Sequence, residues 1–167
     1  MKTGLTSVTF RQKSVDEIIS LAQKAHLDGI EWGGDVHVPA GDTDTAASVR
    51  EKCIAAGLEI LSYGSYYKAL PDQDFAPVLA SARALGAPMI RIWAGNCTPD
   101  FISEDAFRTL AADIRRAAES ASQFGIAVAL EYHRGSMTQT KEGAVGLLQA
   151  VDHPNLYTYW QPNPDVS

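Results

Sequence analysis

Short apolar runs that end in polar residues recur along the chain, each entered through a glycine. The clearest is residues 126–130 (Ile-Ala-Val-Ala-Leu), bounded by Gly125 and followed by Glu131, His133 and Arg134. Its length and unbroken apolar character predict a strand covered on both faces, as in a parallel sheet. The same punctuation appears at Gly29, Gly57 and Gly86, where a helical stretch leads into the glycine and an apolar strand follows almost at once. A glycine just past a helix end takes the left-handed conformation that closes the helix cheaply. Successive glycines stand about one strand plus one helix apart. The chain alternates β and α.

The pattern predicts strands over Leu5–Phe10, Gly29–Trp32, Leu58–Tyr63, Met89–Trp93, Ile126–Leu130 and Leu156–Trp160. It predicts helices over Val15–His26, Thr45–Ala56, Phe75–Leu85, Glu104–Phe124 and Lys141–Val151. Ser14 and Glu17 make an S-x-x-E capping box for the first helix, and Ser103 starts the longest. Six parallel strands allow an open doubly wound sheet or a (β/α)8 barrel lacking its last two units. A closed barrel needs roughly 200 residues or more, so a length of 167 favours the open sheet. No G-x-G-x-x-G follows a strand, however, and no Walker A pattern is present, so the nucleotide chemistry common to open sheets is unsupported.

Composition narrows the picture. Hydrophobic residues make up 46% of the chain and charged residues 20%, as in an ordinary folded domain, so residues 1–167 are read as one domain. A formal net charge of −6 gives no reason to expect a nucleic-acid or anionic-membrane partner. Cys53 and Cys97 have neither metal-type spacing nor the numbers for a disulfide framework. With no signal-peptide pattern and no apolar run near the roughly 18 residues of a membrane span, a cytoplasmic protein is expected.

Chemistry gathers where the strands end. Strand two runs into Glu31, Trp32, Asp35 and His37, strand three into Tyr63, and strand four holds Arg91 and Trp93. Strand five runs into Glu131, Tyr132, His133 and Arg134, and strand six into Tyr159, Trp160, Gln161, Pro162 and Asn163. Ligands of parallel α/β folds collect at the carboxyl ends of strands. Repeated carboxylates, imidazoles, amides and aromatics there predict a concave polar site for a small polyhydroxylated molecule. His26 and His153, at a helix end and in a turn, read as structural.

The ordered set resembles the xylose isomerase-like barrels of sugar isomerases and epimerases. It rests on residues 29–37 (Gly-Ile-Glu-Trp-Gly-Gly-Asp-Val-His), 90–95 (Ile-Arg-Ile-Trp-Ala-Gly), 130–135 (Leu-Glu-Tyr-His-Arg-Gly) with Thr138 and Thr140, and 155–161 (Asn-Leu-Tyr-Thr-Tyr-Trp-Gln). The resemblance covers the whole chain but about six of eight units. It implies an incomplete (β/α)8 TIM barrel of about six strands. It also implies a divalent metal ion, Mn2+ or Mg2+ foremost with Zn2+ or Co2+ as alternatives. Glu131 matches the strand-five glutamate that holds the metal and moves a proton. Gln161 falls where the strand-six metal ligand, usually an aspartate, would be; a neutral amide binds a cation less strongly.

The implied activity is sugar or sugar phosphate isomerisation or epimerisation, by proton transfer next to a carbonyl. Glu131 is its catalytic residue. Glu31 and His37 contact substrate hydroxyls, Tyr63 and Trp93 wall the pocket, and His133 and Arg134 reach a distal hydroxyl or phosphate. Strand-seven and strand-eight ligands have no counterpart in these residues, so the expectation is that 167 residues alone are inactive. Unpaired edges at strands one and six predict association, including a homo-oligomer. Three alternatives stand beside this reading: a non-catalytic sugar-binding remnant, an inositol or sugar-acid dehydratase, and an endonuclease IV-like repair enzyme. Four histidines and the negative charge argue against the last.

Overall fold

The computed structural model describes residues 1–161; Pro162 and Asn163 lie outside them. Strands β1 (Gly4–Thr6), β2 (Gly29–Gly33), β3 (Glu59–Gly64), β4 (Met89–Ile92), β5 (Ala127–Glu131) and β6 (Leu156–Tyr159) alternate with five helices. These are α1 (Val15–Lys24), α2 (Thr43–Ala55), α3 (Ala76–Leu85), α4 (Glu104–Ser122) and α5 (Lys141–Val151). The strands form one sheet in the order β1-β2-β3-β4-β5-β6. A doubly wound sheet reverses its strand order at a switch point, whereas a strictly sequential order is what successive β/α units of a barrel lay down. The order therefore overturns the open-sheet expectation drawn from length and leaves an incomplete TIM barrel.

Local chemistry explains where the elements start and stop. Ser14 caps α1 in the predicted box: its hydroxyl accepts from the Glu17 amide while the Glu17 carboxylate accepts from the Ser14 amide at 2.8 Å. Asp42, Ser103 and Thr140 cap α2, α4 and α5 without the reciprocal bond, each side chain accepting from the amide three residues on. Strand β1 is shorter than its apolar run suggests. Ser7 turns inward, its hydroxyl accepting from the Gly33 amide at 2.8 Å, and residues 7–10 coil into a short 3-10 turn.

Three of the four punctuating glycines behave as expected, with φ of 70°, 74° and 67° at Gly57, Gly86 and Gly125. The fourth does not. Gly29 lies inside β2, where a Cβ would stand 2.4 Å from the Glu59 carbonyl oxygen, and the left-handed residue after α1 is His26 at φ 54°. That glycine serves close backbone approach rather than helix termination.

The chain divides into two compact units. The first comprises Met1–Tyr66, Asp74–Ile90 and Phe124–Ile126, the second Tyr67–Gln73, Arg91–Gln123 and the residues from Ala127 onward. In the first, β1, β2 and β3 pair in parallel, with helices α1, α2 and α3 packed one on the next. Ile18, Ile30, Trp32, Val49 and Leu85 are buried at its core. In the second, β5 pairs with β6 so that Glu131 stands opposite Tyr159, and α4 packs on α5 and on β5. Ile92, Ile114, Leu130 and Leu147 fill that core. Among the described residues no helix is long and apolar enough to cross a membrane.

Two glycine substitutions should separate conformational strain from collision. At Gly57 no atom would meet an added Cβ, so Gly57→Ala should cost only the left-handed backbone penalty, about 1–2 kcal/mol. Gly29→Ala must also displace backbone and should cost about 3 kcal/mol or more. Urea unfolding midpoints measure both; equal losses would refute the assignment of Gly29.

Candidate active site

The second unit places a carboxylate where β5 leaves the sheet. The Glu131 side chain is 13% exposed and pairs with Arg91, whose side chain is 7% exposed, through Oε2. The same oxygen accepts from the Trp93 indole nitrogen at 2.5 Å. A carboxylate withdrawn from water is costly unless paired and hydrogen-bonded, and here it is both. The Gln161 amide nitrogen reaches Glu131 Oε1 at 3.3 Å and the Tyr132 carbonyl at 2.5 Å. Both contacts require the NH2 group there, which sets the orientation of the amide.

His133 stacks on Trp93, with ring centroids 4.1 Å apart and planes 26° apart. Its Nδ1 is 2.6 Å from the Arg134 carbonyl oxygen. A carbonyl can only accept, so Nδ1 carries the proton and Nε2 of the neutral ring keeps its lone pair. Lys68 holds its ammonium 4.9 Å from the Trp93 ring centroid. A short turn over Met137–Gln139 braces this end of β5: the Thr138 hydroxyl donates to the Glu131 carbonyl at 2.5 Å and the Ser136 hydroxyl to the His133 carbonyl at 2.8 Å. Trp93, Glu131, His133 and Gln161 are thus brought into one connected group. Arg134 is exposed, and its carbonyl is what orients His133.

In the first unit the strand ends are also polar but more deeply committed. Glu31 is 8% exposed, with Oε2 accepting from the Ser62 hydroxyl at 2.7 Å and Oε1 from the Thr6 hydroxyl at 3.2 Å. His37 is 5% exposed; Nδ1 lies 3.1 Å from the Ser7 hydroxyl and Nε2 3.0 Å from the Lys13 carbonyl. Both ring nitrogens are hydrogen-bonded within the protein. Tyr63 is fully buried and donates its phenol to the Val38 carbonyl at 2.9 Å, and burial pushes that phenol up to about 12. It packs in the core of the first unit. At Asp35 burial alone would raise the carboxyl, but hydrogen bonds from Arg11 (2.5 Å) and Tyr66 (3.1 Å) outweigh it and hold the group below its usual range.

Comparison with known proteins meets this geometry. The model of the xylose isomerase-like TIM barrel family matches residues 19–162. The chain belongs to that family. A 3-dehydroshikimate dehydratase of Bacillus anthracis is 27% identical over 93% of this chain and 60% of its own length. The crystal structure of a probable 3-DHS dehydratase from Bacillus anthracis, involved in petrobactin synthesis, superposes with a TM-score of 0.81 at 25% identity, covering 95% of this chain and 62% of that one. An IolI protein with a bound zinc atom superposes with a TM-score of 0.73 at 18% identity, over 93% and 61% of the two chains. This member of the xylose isomerase-like family therefore spans about 60% of the length of the relatives it matches.

Whether the present residues suit a metal follows from the donors. A divalent cation takes several oxygen or nitrogen ligands at once. Glu131 and Gln161 fit in kind, one carboxylate and one amide, but among the described residues no group of three or more His, Cys, Asp or Glu side chains converges on one point. Two such donors fall short of a full ligand set.

Sequence reasoning gave no role to two members of the cluster. Arg91 was visible as a lone cation inside an apolar strand (Met-Ile-Arg-Ile), a position that demands a buried partner. Lys68 had no such signal, because the turn that carries it is set by tertiary contacts.

Because both ring nitrogens of His37 bond inside the protein, His37→Ala should lower stability by about 1–3 kcal/mol through its abandoned partners and leave ligand affinity unchanged. Thermal unfolding and calorimetric titration check the two halves. An altered affinity at unchanged stability would restore the binding role.

Proposed function

We propose that this family member removes a proton next to a carbonyl in a polyhydroxylated carboxylic acid, and that the reaction is a dehydration. The observation that carries the reading is the His133 imidazole, held in one tautomer by the Arg134 carbonyl at 2.6 Å and packed against Trp93. A neutral, oriented imidazole with an available lone pair is a competent general base. It takes the proton from carbon. The electron pair left behind forms the enolate, and collapse of the enolate expels hydroxide from the β carbon. The proton then leaves with that hydroxide, and the net change is loss of one water.

Glu131, expected from the sequence to move the proton itself, is better suited to anchoring. One of its oxygens already accepts from Arg91 and Trp93. Glu131 and Gln161 would supply two ligands of a divalent metal ion, the rest coming from outside the described residues. When bound, such a cation supplies polarisation of the substrate carbonyl. Likeness to a dehydratase at 27% identity favours dehydration, because 3-dehydroshikimate carries a ketone, hydroxyls and a carboxylate on one ring.

The family match itself favours a second reading, sugar or sugar phosphate isomerisation or epimerisation. There the same proton returns to the neighbouring carbon or the opposite face. The two part at the fate of the β hydroxyl.

Full-length natural protein, supplied with Mn2+ or Mg2+ and 3-dehydroshikimate, should generate the ultraviolet absorbance of an aromatic acid. His133→Ala should lower kcat about 100-fold or more with a small change in KM. Conversion of ketoses without any loss of water would replace dehydration by the second reading. Full activity in His133→Ala would remove the base assignment.

A further inference from the structure

Lys68 is built into the second unit with more care than a surface lysine needs. Its own amide donates to the Gln73 side-chain oxygen at 2.8 Å, and its carbonyl accepts from the Gly95 amide at 2.9 Å. The preceding carbonyl, of Tyr67, accepts from the Trp93 amide at 2.9 Å. The next residue, Ala69, is buried and left-handed at φ 55°, a conformation unfavourable for any residue with a Cβ. Strain of this kind persists only where the surroundings impose it, and it clusters at functional sites. These constraints fix the backbone against β4 and its loop, and the ammonium ends 4.9 Å from the centre of Trp93.

Charge makes the placement informative. Arg91 is committed to Glu131, and on α4 Arg108, Arg115 and Arg116 pair with Glu104 and Asp105, Glu119, and Asp113. Among the described residues no carboxylate pairs with Lys68. The ammonium of this half-buried lysine lies over an indole that stacks on His133 and bonds Glu131, and it offers its N–H donors to an anion.

We propose that Lys68 is the anion receptor of this site and fixes the substrate class as a molecule with a carboxylate or phosphate group, whose body lies along Trp93. The proposal rests on the reading of the cluster as an active site and deepens it. Arg91, although nearer the carboxylate, is occupied by Glu131 and unsuited to the task.

Calorimetric titration of the full-length protein with 3-dehydroshikimate and with its neutral methyl ester tests this without requiring turnover. Wild type should favour the acid roughly 10- to 100-fold, the strength of a charge-assisted contact, and added salt should shrink the margin. Lys68→Met should abolish the preference by weakening the acid alone, and Lys68→Arg should restore most of it. If neither compound binds, the hydroxy-keto acid reading fails, and fructose 6-phosphate against fructose becomes the deciding pair. Loss of its preference in Lys68→Met upholds the receptor with phosphate as the anion. A preference that survives Lys68→Met, or a wild-type protein that favours the charged member of neither pair, overturns the proposal.

Discussion

At the end of β5 the chain holds a carboxylate that water can barely reach, and such a charge persists only if the protein answers it. Arg91 answers with charge, Trp93 with an indole N–H and Gln161 with an amide. Each comes from a different place: mid-strand in β4, the residue just past β4, and the residue two past β6. Those partners require β4, β5 and β6 to keep their sequential order and to end at matching heights. The pairing of Glu131 with Tyr159 in register expresses that constraint. The ion pair and the order of the strands are thus two views of one requirement.

Trp93 then extends the anchored charge into a site. Its N–H is used by Glu131, and its faces carry a stacked imidazole and an ammonium. Packing and chemistry are shared by one side chain: the indole N–H bonds the carboxylate while its ring packs on the imidazole. The loop after β5 completes the arrangement through hydroxyl-to-carbonyl bonds from Ser136 and Thr138, leaving the His133 ring to be directed by a neighbouring carbonyl.

In the first unit the polar groups near the strand ends are bonded within the protein. Glu31 and Tyr63 lie within β2 and β3 and His37 in the loop after β2, and all three look eligible in sequence. His37 joins the turn after β1 to the loop after β2, and the Tyr63 phenol secures Val38. Their polar atoms bond to neighbouring protein groups, as buried polar groups do. Eligibility depends on which polar atoms the fold leaves unclaimed, and that is settled by neighbours distant in sequence.

Sequence alone determined the alternation of β and α, the capping box at Ser14, the cap at Ser103 and the left-handed glycines at 57, 86 and 125, because these depend on residues a few positions apart. It also placed Glu131, His133 and Gln161 at strand ends, since apolar runs show where strands stop. Tertiary structure decided what proximity along the chain cannot: the sequential strand order that excludes the doubly wound sheet, and the use of Gly29 against the Glu59 carbonyl of a neighbouring strand. It also decided the withdrawal of His37 and Tyr63 into the protein and the meeting of Lys68, Arg91 and Glu131 around one indole. A residue's chemistry is written in its type. Whether that chemistry remains available depends on the partners that folding brings to it.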